Sequence, residues 1–317
     1  MYEEPIFLEP VFQDRIWGGK KLHTLFGYDI PSDKTGEAWV ISAHEKGPSI
    51  IANGLLKGRN LLEAWSDNPT LFGKKQRSGD FPLLVKILDA NESLSVQVHP
   101  DAGYAQEMEN VPCGKAECWY VLDCEPNSQI ILGHRAESRE DFRKRVDAEQ
   151  WDELLLPVPV KKGDFFYIPS WTVHAIGNGI MVLEIQQSSD ITYRVYDYGR
   201  KTREGKTREL HIQSAIDVIN FPHHSVRLSQ NAMNRGDLAS TQLIKELYFT
   251  VYHWDIKGKV ETPLKMDYLL VSVIDGSGEI SVNGKTFPLA KGSHFILPAM
   301  VESYGIEGDL ELMVTHE

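Results

Sequence analysis

The chain has 317 residues, of which 42% are hydrophobic and 10% aromatic, a composition typical of a globular protein with one large or two moderate domains. Its net charge of -12 argues against nucleic acid or an anionic membrane as the main partner. A small anionic substrate stays possible, because a few local cations and backbone amides are enough to hold a phosphate group.

Two features bear on the cellular compartment. Residues 1–12 are acidic and interrupted by prolines, without the basic and apolar stretches of a signal peptide. The three cysteines, Cys113, Cys118 and Cys124, cannot all pair and lack C-x-x-C spacing, which favours reduced thiols. We therefore expect a cytoplasmic protein.

Most of the chain consists of short β-branched and aromatic runs bounded by Gly, Pro, Asn and Asp, the signature of strands. Helices are expected at three places: one or two in residues 59–75, one after a Ser138 cap, and one in residues 208–219. Near the end of the chain, Asn283-Gly284 predicts a tight hairpin. The sequence thus predicts an all-β protein with a few short helices, built from barrels or sandwiches.

The chain also contains an internal repeat. Residues 161–179 resemble residues 290–308, and in both segments a glycine is followed six residues later by a proline. Five residues beyond that proline, the first segment has His174 and the second has Ser303. Two similar β-units, only one of which keeps its histidine, imply a duplicated architecture with a single chemical site.

The expected connection between the two β-units is the polar stretch of residues 220–237. We predict an N-terminal catalytic domain with helical decorations over residues 1–225 and a C-terminal domain without a metal site over residues 226–317. Packing against the first unit is the default role of the second.

The segment SLSVQVHPD, residues 93–101, carries the first candidate ligands. Side chains alternate along a strand, so Gln97 and His99 point to one face, and Pro100 ends the strand beside them. Further along, Glu117 is expected to point inward, and His174 follows the turn of the first repeat segment. Two imidazoles, a carboxylate and an amide oxygen suit a divalent transition metal and leave a coordination position open.

The residues around His174 strengthen this interpretation. The spacing of Gly163, Pro169, His174 and Asn178 resembles the second motif of the cupins, with Trp171 in place of the usual middle glycine. The resemblance implies two cupin-type jelly-roll barrels, that is, double-stranded β-helices, with metal bound inside one barrel mouth.

A closer resemblance covers nearly the whole chain. The motifs Q-x-H-P, Lys-x-Glu, P-x-x-x-x-H and D-x-x-x-R occur in the order found in the type I phosphomannose isomerases. This resemblance implies that Gln97, His99, Glu117 and His174 hold one zinc ion (Zn2+) per chain, and that Arg194 is the catalytic arginine. The short interval between the last two ligands resembles the short bacterial form, because it has no room for a helical insertion domain.

The resemblance implies interconversion of mannose 6-phosphate and fructose 6-phosphate through a cis-enediol. Such a reaction needs an acid–base group, a stabiliser of the enediolate and a phosphate anchor. Arg194, Lys115 and Asp190 are the catalytic candidates, and the base stays open between Asp190, Lys115 and a metal-linked histidine. Lys115 shares a strand face with Glu117, and arginine suits phosphate or an enediolate through paired hydrogen bonds.

Three further residues are candidates for substrate binding. Lys86 lies in an otherwise apolar strand, where it either reaches the pocket or extends its ammonium group to solvent. Trp17 and Glu37 match family segments near the pocket, and aromatic residues there would pack against a sugar ring.

Two other functions are compatible with the sequence. Another cupin enzyme, a metal-dependent dioxygenase or a sugar-phosphate epimerase, is one, although a glutamine ligand and nearby lysines suit redox-inert chemistry on an anion. A sugar-binding regulatory module without turnover is the other. The sequence leaves the oligomeric state open.

Overall fold

The computed structural model describes residues 2–73, 79–201 and 205–317. Within these ranges six α-helices occur: α1 Lys21–Phe26, α2 Leu61–Asp67, α3 Ala102–Tyr104, α4 Arg139–Asp147, α5 Trp151–Leu154 and α6 Ile212–Val218. Short 3-10 turns occupy Gly54–Leu56 and Pro69–Phe72, and a π-helical turn, Ala105–Glu109, continues α3. No helix in the described ranges is long and apolar enough to cross a membrane.

Strands dominate the structure. They are β1 Ile6–Glu9, β2 Val11–Gly19, β3 Thr35–Ile41, β4 Ile50–Ile51, β5 Leu83–Ala90, β6 Val96–Val98, β7 Glu117–Cys124, β8 Gln129–His134, β9 Leu155–Pro159, β10 Phe165–Ile168, β11 His174–Ala175, β12 Ile180–Gln187, β13 Tyr193–Tyr196, β14 Asn231–Arg235, β15 Leu238–Lys245, β16 Thr250–Pro263, β17 Leu269–Val282, β18 Lys285–Ala290, β19 His294–Leu297 and β20 Ser303–His316. The prediction of an all-β protein with a few short helices is confirmed.

The strands form three antiparallel sheets. Sheet I has the order β10-β7-β12-β5-β3-β2, and sheet II has the order β13-β6-β11-β8-β9. Sheet III runs β14-β15-β16-β20-β17-β19-β1-β4, with β18 paired to β17. The amino-terminal strand β1 therefore belongs to the sheet built mainly from the last part of the chain. The predicted domain limits, 1–225 and 226–317, stay a prediction.

Sheet I is the middle layer of the structure. Every residue of β5 and β12 is buried, which requires cover on both faces of the sheet. On one face Leu88 and Val182 pack with Ile130 of sheet II. On the other face Ile87 packs in a cluster that includes Leu270 of sheet III. Full burial of one such aliphatic side chain stabilises the fold by about 1.5–3 kcal/mol.

Local predictions are confirmed where short-range chemistry decides them. The Ser138 hydroxyl accepts a hydrogen bond from the Asp141 amide at the start of α4, and the cap residues of α2 form a capping box. The helical segment after Ser138 is interrupted, because Glu149 has a φ of 54° between α4 and α5. The segment 208–219 becomes helical only at α6, and residues 74 and 75 of the predicted helical region lie outside the described ranges.

The hairpin and the repeat are also present. Asn283 and Gly284, with φ values of 51° and 75°, connect β17 to β18 through a two-residue turn. The turn glycines of the two repeat segments have φ values of 88° and 86°, and each is followed by a four-residue strand, β10 or β19. Trp171 has a φ of 73°, which explains why a glycine suits its position in the cupin motif.

Candidate metal centre and active site

The four predicted metal ligands come from three segments at one end of sheets I and II. Gln97, in the middle of β6, pairs directly with His174, the first residue of β11. His99 follows the end of β6, and Glu117 opens β7 in the facing sheet. The short strand β6 and the two strand ends therefore bring together side chains that are far apart in the sequence.

The imidazoles and the carboxylate converge closely. His99 Nε2 lies 3.5 Å from Glu117 Oε2, and His174 Nε2 lies 3.3 Å from Glu117 Oε1. Gln97 Nε2 is 3.4 Å from His174 Nε2. A half-turn of the Gln97 amide exchanges its nitrogen and oxygen, so this side chain can offer an oxygen to the same point.

The hydrogen bonds of the two histidines fix their tautomers. His99 Nδ1 donates to the carbonyl of Ile191 at 2.7 Å, and His174 Nδ1 donates to the carbonyl of Thr172 at 2.8 Å. Each Nε2 therefore presents a lone pair to the cluster. Burial lowers the pKa of His99 well below its usual value and that of His174 to about 4, so both rings are neutral at physiological pH. A hydrogen bond from the ring nitrogen that faces away from the ion is typical of metal-binding histidines.

The cluster fits a divalent cation. Both oxygens of Glu117 are fully buried, and no group in the described ranges has hydrogen-bond geometry to them. Burial raises the pKa of Glu117 to about 7. The His174 Nε2 lone pair faces Glu117 Oε1 at 3.3 Å, and the two repel one another unless a positive charge lies between them. Nitrogen and oxygen donors of this kind suit zinc or a similar transition metal.

Lys115 adds a cation to the edge of the cluster. Its ammonium group donates to His99 Nε2 at 3.0 Å and lies 3.0 Å from Glu117 Oε2. Burial lowers the pKa of Lys115, but the carboxylates of Glu117 and Glu184 outweigh burial, so its pKa is raised. Lys115 is therefore protonated and can donate a proton or stabilise negative charge.

A cavity of about 520 Å³ opens beside the cluster, between sheets I and II. Seven of the ten predicted site residues line it: Trp17, Glu37, Lys86, Gln97, Lys115, Asp190 and Arg194. The other three, His99, Glu117 and His174, form the buried cluster next to it. The structure thus brings all ten predicted residues into one region.

Lys86 belongs to a buried polar row on sheet I. It pairs across the sheet with Glu184, which pairs in turn with Trp119. The Lys86 ammonium donates to Glu184 Oε2 at 3.2 Å and to Gln186 Oε1 at 2.6 Å, so it is buried and does not extend to solvent. The Trp119 indole N–H donates to Glu184 Oε1 at 3.0 Å. Burial raises the pKa of Glu184, but Lys86 and Lys115 outweigh it, so the pKa is lowered and the carboxylate is ionised.

Arg194, on β13, lies beside the metal cluster because it pairs with Gln97. Its Nη1 donates to the carbonyl of Glu209 at 2.8 Å, and its buried Nε has no acceptor in the described ranges. Arg194 forms no ion pair with Asp190 or Asp197 there, so a purely structural pairing does not account for it. Burial lowers its pKa, although an arginine stays charged at physiological pH.

Asp190 lies at the mouth of the cavity and is the most exposed of the predicted catalytic residues. Its carboxylate contacts the ammonium of Lys46, and His44 Nε2 lies 3.9 Å away. Burial raises the pKa of Asp190, but the hydrogen bond and charge of Lys46 outweigh it and lower the pKa. Asp190 therefore pairs with Lys46 and does not orient Arg194.

Glu37 and Trp17 form another part of the wall of this cavity. Arg15 holds the Glu37 carboxylate with two hydrogen bonds, of 2.9 and 3.1 Å, and the Trp39 indole N–H donates to the same carboxylate at 2.6 Å. Trp17 is 4% exposed and packs in the core between sheets I and II. The Glu37 carboxylate is thus already hydrogen-bonded by two side chains, and the cavity is lined by the Arg15–Glu37 pair.

Sequence reasoning missed four charged lining residues: Arg15, Lys46, Glu184 and Arg208. A signal for Glu184 existed, since a carboxylate in the apolar run IMVLEIQQ is as unusual as Lys86 in its own strand. The other three lie in polar segments that carry no comparable signal. Arg208 holds Asp197 with bonds of 2.7 and 2.5 Å and thereby occupies the anion that could neutralise Arg194.

Comparisons with known proteins agree with this architecture. A family model described as phosphomannose isomerase type I, catalytic domain, matches residues 6–131, and one described as mannose-6-phosphate isomerase, cupin domain, matches residues 239–317. The mannose-6-phosphate isomerase of Streptococcus mutans is 49% identical over 313 residues, 99% of this chain and 98% of that protein. A probable mannose-6-phosphate isomerase of Bacillus subtilis is 49% identical over 312 residues, 98% of this chain and 99% of that protein.

Solved structures extend the comparison. The mannose 6-phosphate isomerase from Bacillus subtilis superposes with a TM-score of 0.97 at 45% identity, covering 99% of this chain and 100% of that chain. A putative mannosephosphate isomerase from Archaeoglobus fulgidus superposes with a TM-score of 0.77 at 21% identity, covering 100% of this chain and 99% of that chain. The second match supports the fold alone.

Proposed function

The chain belongs to the type I phosphomannose isomerases, and from that premise we propose that it is a zinc-dependent aldose–ketose isomerase that interconverts mannose 6-phosphate and fructose 6-phosphate. The reaction passes through a cis-enediol. The observation that carries the zinc dependence is the buried His99, Glu117 and His174 cluster, in which two lone pairs and a carboxylate face one another.

The ion, one per chain, would be held by Gln97, His99, Glu117 and His174. When bound, it supplies Lewis-acid stabilisation of a developing oxyanion. The chain's own contribution is to keep both histidines neutral by burying them, and to hold their Nδ1 protons on backbone carbonyls so that each Nε2 faces the cluster.

The cavity beside the cluster offers an anchor for the phosphate. Arg194 has an unused buried donor at Nε, and Arg208 lines the same wall. A guanidinium binds a phosphate through parallel hydrogen bonds, and it can equally stabilise an enediolate. Lys46 at the mouth adds positive charge along the path of an anionic substrate.

Proton transfer needs a group that accepts the proton from C2 of the aldose and returns it to C1, while a second proton moves between O1 and O2. Lys115 is protonated and serves as the donor to the sugar oxygens. The two cluster histidines have their Nδ1 protons held by carbonyls and their Nε2 atoms in the cluster. We assign the acceptor role to Glu184, which is ionised, shielded from bulk solvent and part of the cavity lining, with Asp190 as the alternative at the mouth.

We also propose that the protein works in the cytoplasm. All three cysteines are free, and Cys118 is buried in the core, as expected for thiols kept reduced.

Elemental analysis of freshly purified protein, run beside a coupled assay for fructose 6-phosphate formed from mannose 6-phosphate, tests the proposal. We expect about one zinc per chain, loss of activity with EDTA and recovery on adding zinc. Full activity in demonstrably metal-free protein would refute the metal role, and absence of fructose 6-phosphate formation by zinc-loaded protein would refute the isomerase assignment.

A further inference from the structure

A second cavity lies within sheet III, and the proposed reaction makes no use of it. Its volume is about 520 Å³, equal to that of the catalytic cavity and within the range of small-molecule sites. Its wall is mainly apolar and aromatic and includes Leu238, Tyr252, Trp254, Leu269, Tyr304 and Val314.

The internal repeat relates this cavity to the catalytic one. Ile168 and Leu297 hold the same position in the two repeat segments, five residues after the turn glycine. Ile168 pairs with Glu117 of the metal cluster, whereas Leu297 pairs with Leu269 of the second cavity. Leu269 is therefore the counterpart of Glu117 and replaces its carboxylate with an apolar side chain.

The neighbouring row gives the same correspondence. Trp119, two residues after Glu117, pairs with Glu184. Val271, two residues after Leu269, pairs with Val314. Glu184 and Val314 are therefore counterparts. Glu184 pairs onward with Lys86, and Val314 pairs onward with Tyr252. A buried ion pair in the catalytic cavity thus corresponds to a valine and a tyrosine.

The second cavity therefore keeps the position and size of the first but lacks the metal-ligating carboxylate and the buried ion pair. Ser303 stands where the first repeat segment has His174, and its cross-strand partner is Pro263, as Gln97 is the partner of His174. A wall with these replacements can bind a molecule without holding a metal or moving a proton.

Polar atoms in the cavity point to the kind of molecule. Trp254 Nε1 and His316 Nε2 are buried and have no hydrogen-bond partner among the described residues, and both side chains line the cavity. A buried indole N–H without an acceptor is costly. A ligand that carries an acceptor beside a flat apolar ring would satisfy Trp254 while stacking on Tyr252 or Tyr304.

The charges at the rim are unbalanced. Lys259 pairs with Glu261 at 2.9 Å, and Asp237 accepts the Lys259 backbone N–H at 2.9 Å. Arg235 and Lys265 also line the cavity, and neither forms an ion pair within the described part of the chain. Three cations and two carboxylates therefore line the cavity, and this net positive charge favours an anionic group on the ligand.

We propose that this cavity is a binding site for a small aromatic anion. The ligand's ring lies against the aromatic wall, and an acceptor atom of the ligand accepts a hydrogen bond from the Trp254 indole N–H. The anionic group of the ligand lies near Arg235 and Lys265. The site is distinct from the catalytic cavity and does not depend on the isomerase assignment.

The test uses the aromatic sulfonate anilinonaphthalene sulfonate as the probe, titrated into the zinc-loaded full chain and followed by its fluorescence and by calorimetry. We expect saturable binding of one probe per chain. Trp254→Phe keeps an aromatic ring in place of the indole and removes the donor, and we expect about fivefold weaker binding. The double change Arg235→Glu and Lys265→Glu is expected to weaken binding about tenfold or more.

Two controls locate the site. Lys257→Glu reverses one positive charge on β16, as each of the two rim substitutions does, at a side chain that is 70% exposed and does not line the cavity. Arg194→Ala alters the catalytic cavity. Both should bind the probe like the unchanged protein. Absence of saturable binding, unchanged affinity in the Trp254 and rim variants, loss of binding in Arg194→Ala, or a sedimentation result showing that a second copy of the chain covers this face would each overturn the proposal.

Discussion

Replacing Glu117 by glutamine removes the negative charge of this side chain and nearly keeps its size. The variant therefore isolates the electrostatic cost of burying the Glu117 carboxylate. In metal-depleted protein, burial raises the pKa of Glu117 from 4.5 to about 7, so its ionised form is disfavoured in the folded state. A carboxylate whose folded pKa is raised contributes no cost below its unfolded pKa and destabilises the fold as pH rises toward the folded pKa.

The magnitude follows from that shift. One pKa unit corresponds to about 1.4 kcal/mol, so the metal-depleted wild-type protein should lose about 2 to 3 kcal/mol relative to Glu117→Gln between pH 5 and pH 8. The neutral histidines titrate in the opposite sense, since their lowered pKa values remove stability as pH falls. They are present in both proteins and largely cancel in the comparison.

The assay is urea unfolding in EDTA at pH 5, 6, 7 and 8, followed by tryptophan fluorescence. Glu279→Gln is the matched control, because that carboxylate is exposed on β17 and should give no pH-dependent difference. Adding zinc should reverse the order and make the wild-type protein the more stable one, since the ion then binds the carboxylate. A difference between wild type and Glu117→Gln that does not change with pH would refute the assignment of a buried, ion-requiring carboxylate.

Further outcomes follow from other contacts. Arg194→Ala should lower kcat by about 100-fold or more with unchanged zinc content, measured by the coupled assay and elemental analysis, and loss of zinc would identify a structural arginine instead. His174→Ala should retain less zinc than wild type after dialysis against a chelator, and equal retention would contradict its role as a ligand. Lys46→Ala should change the free energy of unfolding by less than about 1 kcal/mol, because its pair with Asp190 is exposed, yet raise KM most strongly at low ionic strength. A KM that is independent of salt would remove Lys46 from the substrate path.

Sequence patterns predicted the His99, Glu117 and His174 cluster because the signals for its residues are short-range. Gln97 and His99 share a face through strand alternation, and the turn around Gly163 and Pro169 places His174 at a strand start. The same locality explains the Ser138 cap, which depends only on residues within one helical turn.

The electrostatic partners were harder to predict, because they depend on cross-strand register. Glu184 meets Lys86 only because β12 and β5 pair in one register out of several possible ones. Likewise, the sequence places Asp190 four residues before Arg194, which suggests a pair, but the chain path directs Asp190 toward Lys46. Neither contact has a short-range signal.

The pairing of β1 with β19 has a consequence for synthesis of the protein. Residues Ile6, Phe7 and Leu8 are opposite Ile296, Phe295 and His294, so β1 is translated long before this neighbouring strand. At a translation rate of about 5–20 residues per second, the side of β1 that pairs with β19 stays uncovered for on the order of 15–60 s, while its other side can pair early with β4. A nascent chain with such a delayed closure is expected to need protection of the apolar edge of β1 until β19 has been made.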